Sequence, residues 1–189
     1  MEIKEKKNTI RKQLKSKRSS MDLAEVNELS HIICNNIINS QEYAEATNIL
    51  CYMAIKNEVI VNEVIEKALF DGKKVYLPKV SGKDMTFYEI HSLSDCMIGA
   101  YNILEPRPVN PFTDESGVVV VPGVGFNKKL QRIGYGAGYY DRYFANRTNL
   151  IKIAAAYELQ ITDEEFEEDI FDIPMDYIYT ENNIYGGTK

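Results

Sequence analysis

The sequence predicts an α/β fold of three layers, a sheet with helices on both faces, and three observations carry that expectation. From Ile49 onward, short runs rich in β-branched and aromatic residues take turns with helix-patterned segments, the order expected of strands joined by crossovers. Val118 to Val121 is apolar without alternation, as a strand buried on both faces should be. With 189 residues the chain can bury a self-sufficient core, so one domain over 1–189 with an N-terminal basic helix is expected.

Lys4, Lys7, Arg11, Lys15 and Arg18 recur at steps of three and four, which places them on one face of a first helix. Ile3, Ile10, Leu14 and Met21 form its apolar stripe. The plain account of the basic side is a solvated surface. Asp22 followed by Glu25 has the form of a capping box opening a second helix, with Leu23, Val26, Ile33 and Ile37 as its buried stripe. ILCYMA (49–54) reads as a strand, 61–70 as a helix closed by Asp71-Gly72, and KVYLPKV (74–80) and MTFYEI (85–90) as further strands. Breakers crowd the link from Gly99 to Ser116. After the valine strand come a glycine loop, a helix from about Tyr139 to Asn146, the strand IKIAAAY (151–157), an acidic segment and a last strand near Tyr177 to Thr180. Ligands of such a sheet are expected beyond the carboxyl ends of its strands.

Composition narrows the function. The net charge is −6, yet Asp163 to Asp172 holds seven carboxylates, so the remainder is nearly balanced and general nucleic-acid binding is not expected. Cys34, Cys51 and Cys96 share no ligand-like spacing, which argues against a disulfide framework or zinc site and for a reducing cytoplasm. His31 and His91 stand outside any HxxxH, HExxH or GxSxG pattern and read as structural or surface residues. There is neither a signal-like apolar core near the start nor a run of about 18 apolar residues, so no membrane partner is expected.

The stretch RIGYGAGYYDR (132–142) sets three glycines at alternate positions between an arginine and an aromatic, acidic helix start. GxxxxGK[ST] is absent, and GxGxxG fails because Tyr139 stands where its last glycine would be. Consecutive amides in such a turn can still form an anion nest, a helix start adds its positive end, and Arg132 adds a fork of donors. The alternative on spacing alone is a flexible turn with Asp141 complementing the helix dipole.

The run VVVVPGVGFNKKLQRIGYGAGYYDRYF is similar to the signature of the 5-formyltetrahydrofolate cyclo-ligase family, roughly VPGxxFDxxGxRLGxGxGYYDR. The resemblance extends along the chain: Lys7, Ile10, Arg11 and a later Arg18 on the first helix, Glu58 after the first strand, Gly99, Ile103, Glu105 and Pro106 in the link, and Asp172 and Asp176 before the last strand. Asn127 stands where the family usually has Asp, Leu130 where it has Gly, and Ala137 where Lys or Gly is frequent.

The resemblance implies a Rossmann-like α/β/α sheet, resembling the sugar-phosphate isomerase and CoA transferase-like fold, in a monomeric cytoplasmic enzyme. It implies an ATP-dependent carbon–nitrogen ligase that converts 5-formyltetrahydrofolate to 5,10-methenyltetrahydrofolate, releasing ADP and phosphate through a phosphorylated formyl oxygen. ATP would be held by Lys7, Arg11 and the run Arg132, Ile133, Gly134, Tyr135, Gly136, Ala137, Gly138, Tyr139 and Tyr140, with Arg132 and Tyr140 catalytic. The reduced folate would meet Glu58 and the stretch Tyr135, Gly136, Ala137, Gly138 and Tyr139, and Mg2+ would meet Asp141 and Asp172. Tyr52, Phe87 and Tyr88 are candidates to pack on the pterin, though strand aromatics are more often core. Two other functions share these features: a phosphosugar isomerase-like enzyme of the same fold, which needs no ATP, and a folate-binding protein without turnover.

Overall fold

Residues 2–99, 103–164 and 172–187 are described by the structure, a computed structural model. Helices α1 (Glu2–Ser19), α2 (Leu23–Ile38) and α3 (Gln41–Glu45) come first, then strand β1 (Asn48–Leu50) and α4 (Asn62–Phe70). A long hairpin, β2 (Lys74–Ser81) and β3 (Asp84–Ile90), and a short one, β4 (Met97–Ile98) and β5 (Leu104–Glu105), lead to the valine strand β6 (Gly117–Val121). A further hairpin, β7 (Gly125–Asn127) and β8 (Arg132–Ile133), precedes α5 (Tyr139–Phe144), β9 (Leu150–Ala155), β10 (Ile161–Thr162), β11 (Tyr177–Tyr179) and β12 (Ile184–Gly186).

The main sheet has the order β12-β11-β9-β6-β1-β2-β3. The five inner strands run parallel, and the antiparallel β12 and β3 close its edges. Alternate residues of β6 serve opposite faces. Val118 and Val120 pack with Val26, Ile33 and Ile37 of α2 and Val64, Ile65 and Ala68 of α4. Val119 and Val121 pack with Phe126 of β7 and Tyr143 and Phe144 of α5. The absence of alternation in the sequence therefore has its expected cause, burial on both sides. The second face differs from a full helical layer: it is covered by the six-residue α5 and by the small sheet β10-β7-β8.

Local chemistry explains most element ends. The Asp22 carboxylate accepts from the Glu25 amide at 2.9 Å, capping α2. Leu23, expected in the buried stripe, is the first helical residue and lies 75% exposed. The first strand stops at Leu50, four residues short of its expected end: the Cys51 amide still donates to the Tyr76 carbonyl at 2.9 Å, and beyond it the chain runs to a tight turn at Ile55–Glu58. Ile10 and Leu14 of α1 pack on Val124 and Ile133 of the β7–β8 hairpin, which fixes α1 across the end of the sheet. Glu165, Glu167, Glu168 and Asp169 of the acidic run lie outside the described residues.

Candidate active site

The strand order reverses between β1 and β6: from β1 the chain moves outward through β2 and β3, then returns to β6 and moves the other way through β9 and β11. The crevice beyond the carboxyl ends of two such strands is where open α/β sheets take ligands. The loop bearing Glu58 leaves β1 there, and Pro122 and Gly123 leave β6 there. A cleft of about 310 Å³ opens beside Pro122, lined by Lys7, Arg11, Asp172 and every residue from Arg132 to Asp141.

Two glycines of the loop are needed for their backbone. Gly136 has φ +104° and Gly138 φ +67°, values that side chains rarely adopt. Gly138 is the N-cap of α5, and behind it Arg142 donates from Nη1 to the Ala137 carbonyl at 2.8 Å and from Nη2 to the Lys83 carbonyl at 2.7 Å. Tyr139 reaches the same β2–β3 turn, its hydroxyl donating to the Gly82 carbonyl at 3.1 Å. The loop is therefore tied down on the side away from the cleft.

The basic face of α1 is not the solvated surface of the plain account. Arg11 donates from Nε to the Gly134 carbonyl at 2.8 Å, Lys7 pairs with Asp172, and Arg18 is 3% exposed. Arg132, from β8, holds Asp141 with Nη2 at 3.0 Å and lies 5.4 Å from the centre of the Tyr140 ring. Its Nε is buried without an acceptor. An unmet buried donor costs roughly 1–3 kcal/mol, a cost that an anionic oxygen entering the cleft would remove. With Lys7 and Arg11 this makes a three-cation cradle from two distant stretches of chain.

Glu58 does not line that cleft but lies against it. It closes a turn in which Lys56 and Asn57 both have positive φ, and the Ile55 amide donates to its carboxylate at 3.0 Å. Burial pushes the Glu58 carboxyl above the usual range, opposed by the Ile55 amide, Arg18 and the Tyr135 hydroxyl. Burial pushes the Tyr135 phenol up to about 12, with the Glu58 charge adding to the rise. Burial and Glu58 raise Tyr140 as well. Both tyrosines are donors at neutral pH, not bases.

Asp141 and Asp172 line the same cleft, and the Ile173 amide approaches Asp141 Oδ1 at 3.4 Å, so the two carboxylate-bearing segments abut. Each carboxylate is engaged by a cation, Arg132 for Asp141 and Lys7 for Asp172. No group of three or more His, Cys, Asp or Glu suited to a metal exists among the described residues. A pair of carboxylates in a cation-lined cleft still fits magnesium, which takes one or two carboxylates and completes its shell with other oxygens and water.

The remaining sequence candidates sort by burial. Tyr52 and Phe87 are core residues, Tyr52 donating to the Val59 carbonyl at 2.7 Å and Phe87 packing 4.9 Å from the Tyr143 ring centre. Tyr88 bridges to Pro111. His31 sits on the surface against Glu63, and the three cysteines are free thiols. No helix among the described residues is long and apolar enough to cross a membrane. Sequence reasoning gave Pro122 and Arg142 no role in the site; both stand within or beside the glycine signature, which was the available signal.

Fold and cleft together define an α/β protein with a cation-lined, glycine-rich cleft at the switch point of a parallel sheet. The model of the 5-formyltetrahydrofolate cyclo-ligase family matches residues 3–181, and the chain belongs to that family. The probable 5-formyltetrahydrofolate cyclo-ligase of Schizosaccharomyces pombe is 28% identical over 197 residues, covering 95% of this chain and 97% of the relative. The structure of Aquifex aeolicus 5,10-methenyltetrahydrofolate synthetase superposes with TM-score 0.83 at 32% identity, over 95% of this chain and 92% of that one. A 5,10-methenyltetrahydrofolate synthetase from Mycoplasma pneumoniae gives TM-score 0.74 at 28% identity, over 93% and 98%.

Proposed function

We propose that this protein catalyses the ATP-dependent conversion of 5-formyltetrahydrofolate to 5,10-methenyltetrahydrofolate. Ring closure by N10 on the formyl carbon requires the formyl oxygen to leave, and as hydroxide it leaves poorly. Attack of that oxygen on the γ-phosphorus of ATP releases ADP and turns it into a phosphate leaving group. N10 then bonds to the formyl carbon and gives up its proton, and phosphate departs with the oxygen. Such transfer needs alignment and charge neutralisation more than a nucleophilic side chain.

The observation that carries the reading is the convergence of Lys7, Arg11 and Arg132 on the glycine loop, with a buried Arg132 Nε facing no acceptor. In this reading Lys7, Arg11 and the run from Arg132 to Tyr140 cradle the triphosphate, and Arg132 neutralises charge as the phosphoryl group moves. The Tyr140 phenol donates to an oxygen of that group. Glu58 accepts from the folate, and Tyr135 to Tyr139 form the ground where the two substrates meet. Asp141 and Asp172 would hold magnesium, which supplies charge neutralisation at the phosphates when bound. We take the enzyme to act as a monomer, and three free thiols suit a reducing cytoplasm.

The test is the methenyl absorbance of purified protein given 5-formyltetrahydrofolate. It should rise only when ATP and a divalent metal are both present, with one ADP formed per product. Full-rate product in EDTA without nucleotide would overturn the scheme.

A further inference from the structure

Arg18 has no part in the site as read so far, yet it is 3% exposed at the carboxyl end of α1. A buried guanidinium requires partners. Its Nη1 donates to the Gly123 carbonyl, just past β6, at 2.9 Å, and its Nη2 donates to the Tyr135 hydroxyl. That hydroxyl stands near the buried Glu58 side chain, whose charge adds to the rise of the Tyr135 phenol. The main chain makes a second connection: Asn57, beside Glu58, donates from Nδ2 to the Arg18 carbonyl at 3.3 Å and to the Met21 carbonyl at 3.0 Å. One residue, by its side chain and its carbonyl, thus joins α1, the end of β6, the glycine loop and the Glu58 turn at the switch point.

We propose that Arg18 is a positioning residue: its fork holds the Tyr135 hydroxyl and the end of β6 against the Glu58 turn, so that the Glu58 carboxyl is presented to the folate. This rests on the reading in which Glu58 contacts the folate. An ionised carboxylate accepts two donors from a planar heterocycle, whereas a protonated one loses half that capacity. The groups facing Glu58 are Arg18 from α1, Lys56 from its own turn, Tyr135 from the glycine loop, Tyr140 from α5 and Tyr52 from the end of β1. Burial drives Glu58 toward its neutral form, and Arg18 is the charged group that opposes this most. Without Arg18 the carboxyl takes up its proton at higher pH.

The experiment measures kcat/KM for 5-formyltetrahydrofolate across pH at saturating MgATP, beside thermal melts. In Arg18→Gln the acid limb moves to higher pH, and at neutral pH the folate KM rises about tenfold while the ATP KM stays within about threefold. Arg18→Lys keeps the charge and returns the limb toward that of the parent. A limb that stays in place, or equal loss of both substrates with a lowered melting point, overturns the proposal. Should Arg18→Gln fail to fold, Tyr135→Phe removes only the hydroxyl and must move the limb the same way; an unmoved limb there overturns it too. Glu58→Gln separates the two levels: parent-like folate KM and pH profile in that variant remove Glu58 from the folate site. Loss of the limb in Glu58→Gln with an unmoved limb in Arg18→Gln removes Arg18 alone.

Discussion

Two turns flank the two-residue strand β8, and each bends through the left-handed region at nearly the same angle. Leu130 in the first has φ +65° and Gly138 in the second has φ +67°. The first turn is built from side chains: Asn127 Oδ1 accepts the Lys129 and Gln131 amides at 3.1 Å each, and Leu130 packs on the core of the second face. The second is built from backbone, with Arg11 and Arg142 gripping its carbonyls from two sides and a cleft on its open face. Equal φ does not mean equal need for glycine. At Gly138 a Cβ would stand 2.8 Å from Arg142 Nη1, whereas at Leu130 the side chain has a place to go. One turn is packed on the core, and the other lines the cleft.

The largest effect that could break this division comes from Arg132→Lys. Lys keeps the charge but loses the fork that spans Asp141 and the cleft. Turnover should fall by roughly 10²–10³-fold while folate affinity changes little, as for removal of a preorganised donor from a transition state. Steady-state kinetics with calorimetric folate binding decide it, and unchanged turnover would place Arg132 outside the chemistry.

Gly138→Val comes next. The strained backbone costs roughly 1–3 kcal/mol, and the new Cβ displaces the Arg142 guanidinium from its carbonyls. Nucleotide Kd should rise at least about tenfold, and the melting point should drop as well. Parent-like ATP binding in a folded variant would mean that the turn is not shaped for phosphate.

These outcomes show how much of the molecule was legible in its sequence. The valine run, the capping aspartate and the spacing of the basic residues on α1 reported their structures faithfully, because each depends on local periodicity or on a single cap. Every residue assigned to nucleotide or metal meets in one cleft, and only Glu58 stands behind it. What periodicity could not give is the direction of the basic face. Helical spacing says that Lys7, Arg11 and Arg18 share a side, but only the α1 contact of Ile10 and Leu14 with Val124 and Ile133 turns that side onto the glycine loop. The β7–β8 hairpin was missed for a related reason, since its strands are two and three residues long and carry no measurable alternation.

The segment 172–176 touches both turns and divides them again. Asp172 faces Lys7 in the cleft, whereas the Met175 amide donates to the Leu130 carbonyl at 2.9 Å and Asp176 pairs with Lys152 at 2.7 Å. Asp172→Asn should raise the magnesium needed for half-maximal rate several-fold with little change in melting. Asp176→Asn should do the reverse, lowering the melting point by a few degrees through loss of a half-buried pair that also accepts the Lys152 amide. Equal metal dependence in the two variants would remove Asp172 from the site.

The smallest expected effect is the most informative about the first turn. Leu130→Gly relieves a left-handed backbone that costs a non-glycine residue about 1–2 kcal/mol. It also removes a half-buried side chain from the cluster containing Phe126, Phe144 and Met175 and frees the unfolded chain, losses of comparable size. The opposed terms should nearly cancel, leaving stability within about 1 kcal/mol of the parent and turnover unchanged. Urea unfolding and steady-state rates measure the two quantities independently. A large gain in stability would mean that strain outweighs packing at Leu130. A fall in turnover would mean that the packing turn communicates with the ligand turn across β8, and the division between them would fail.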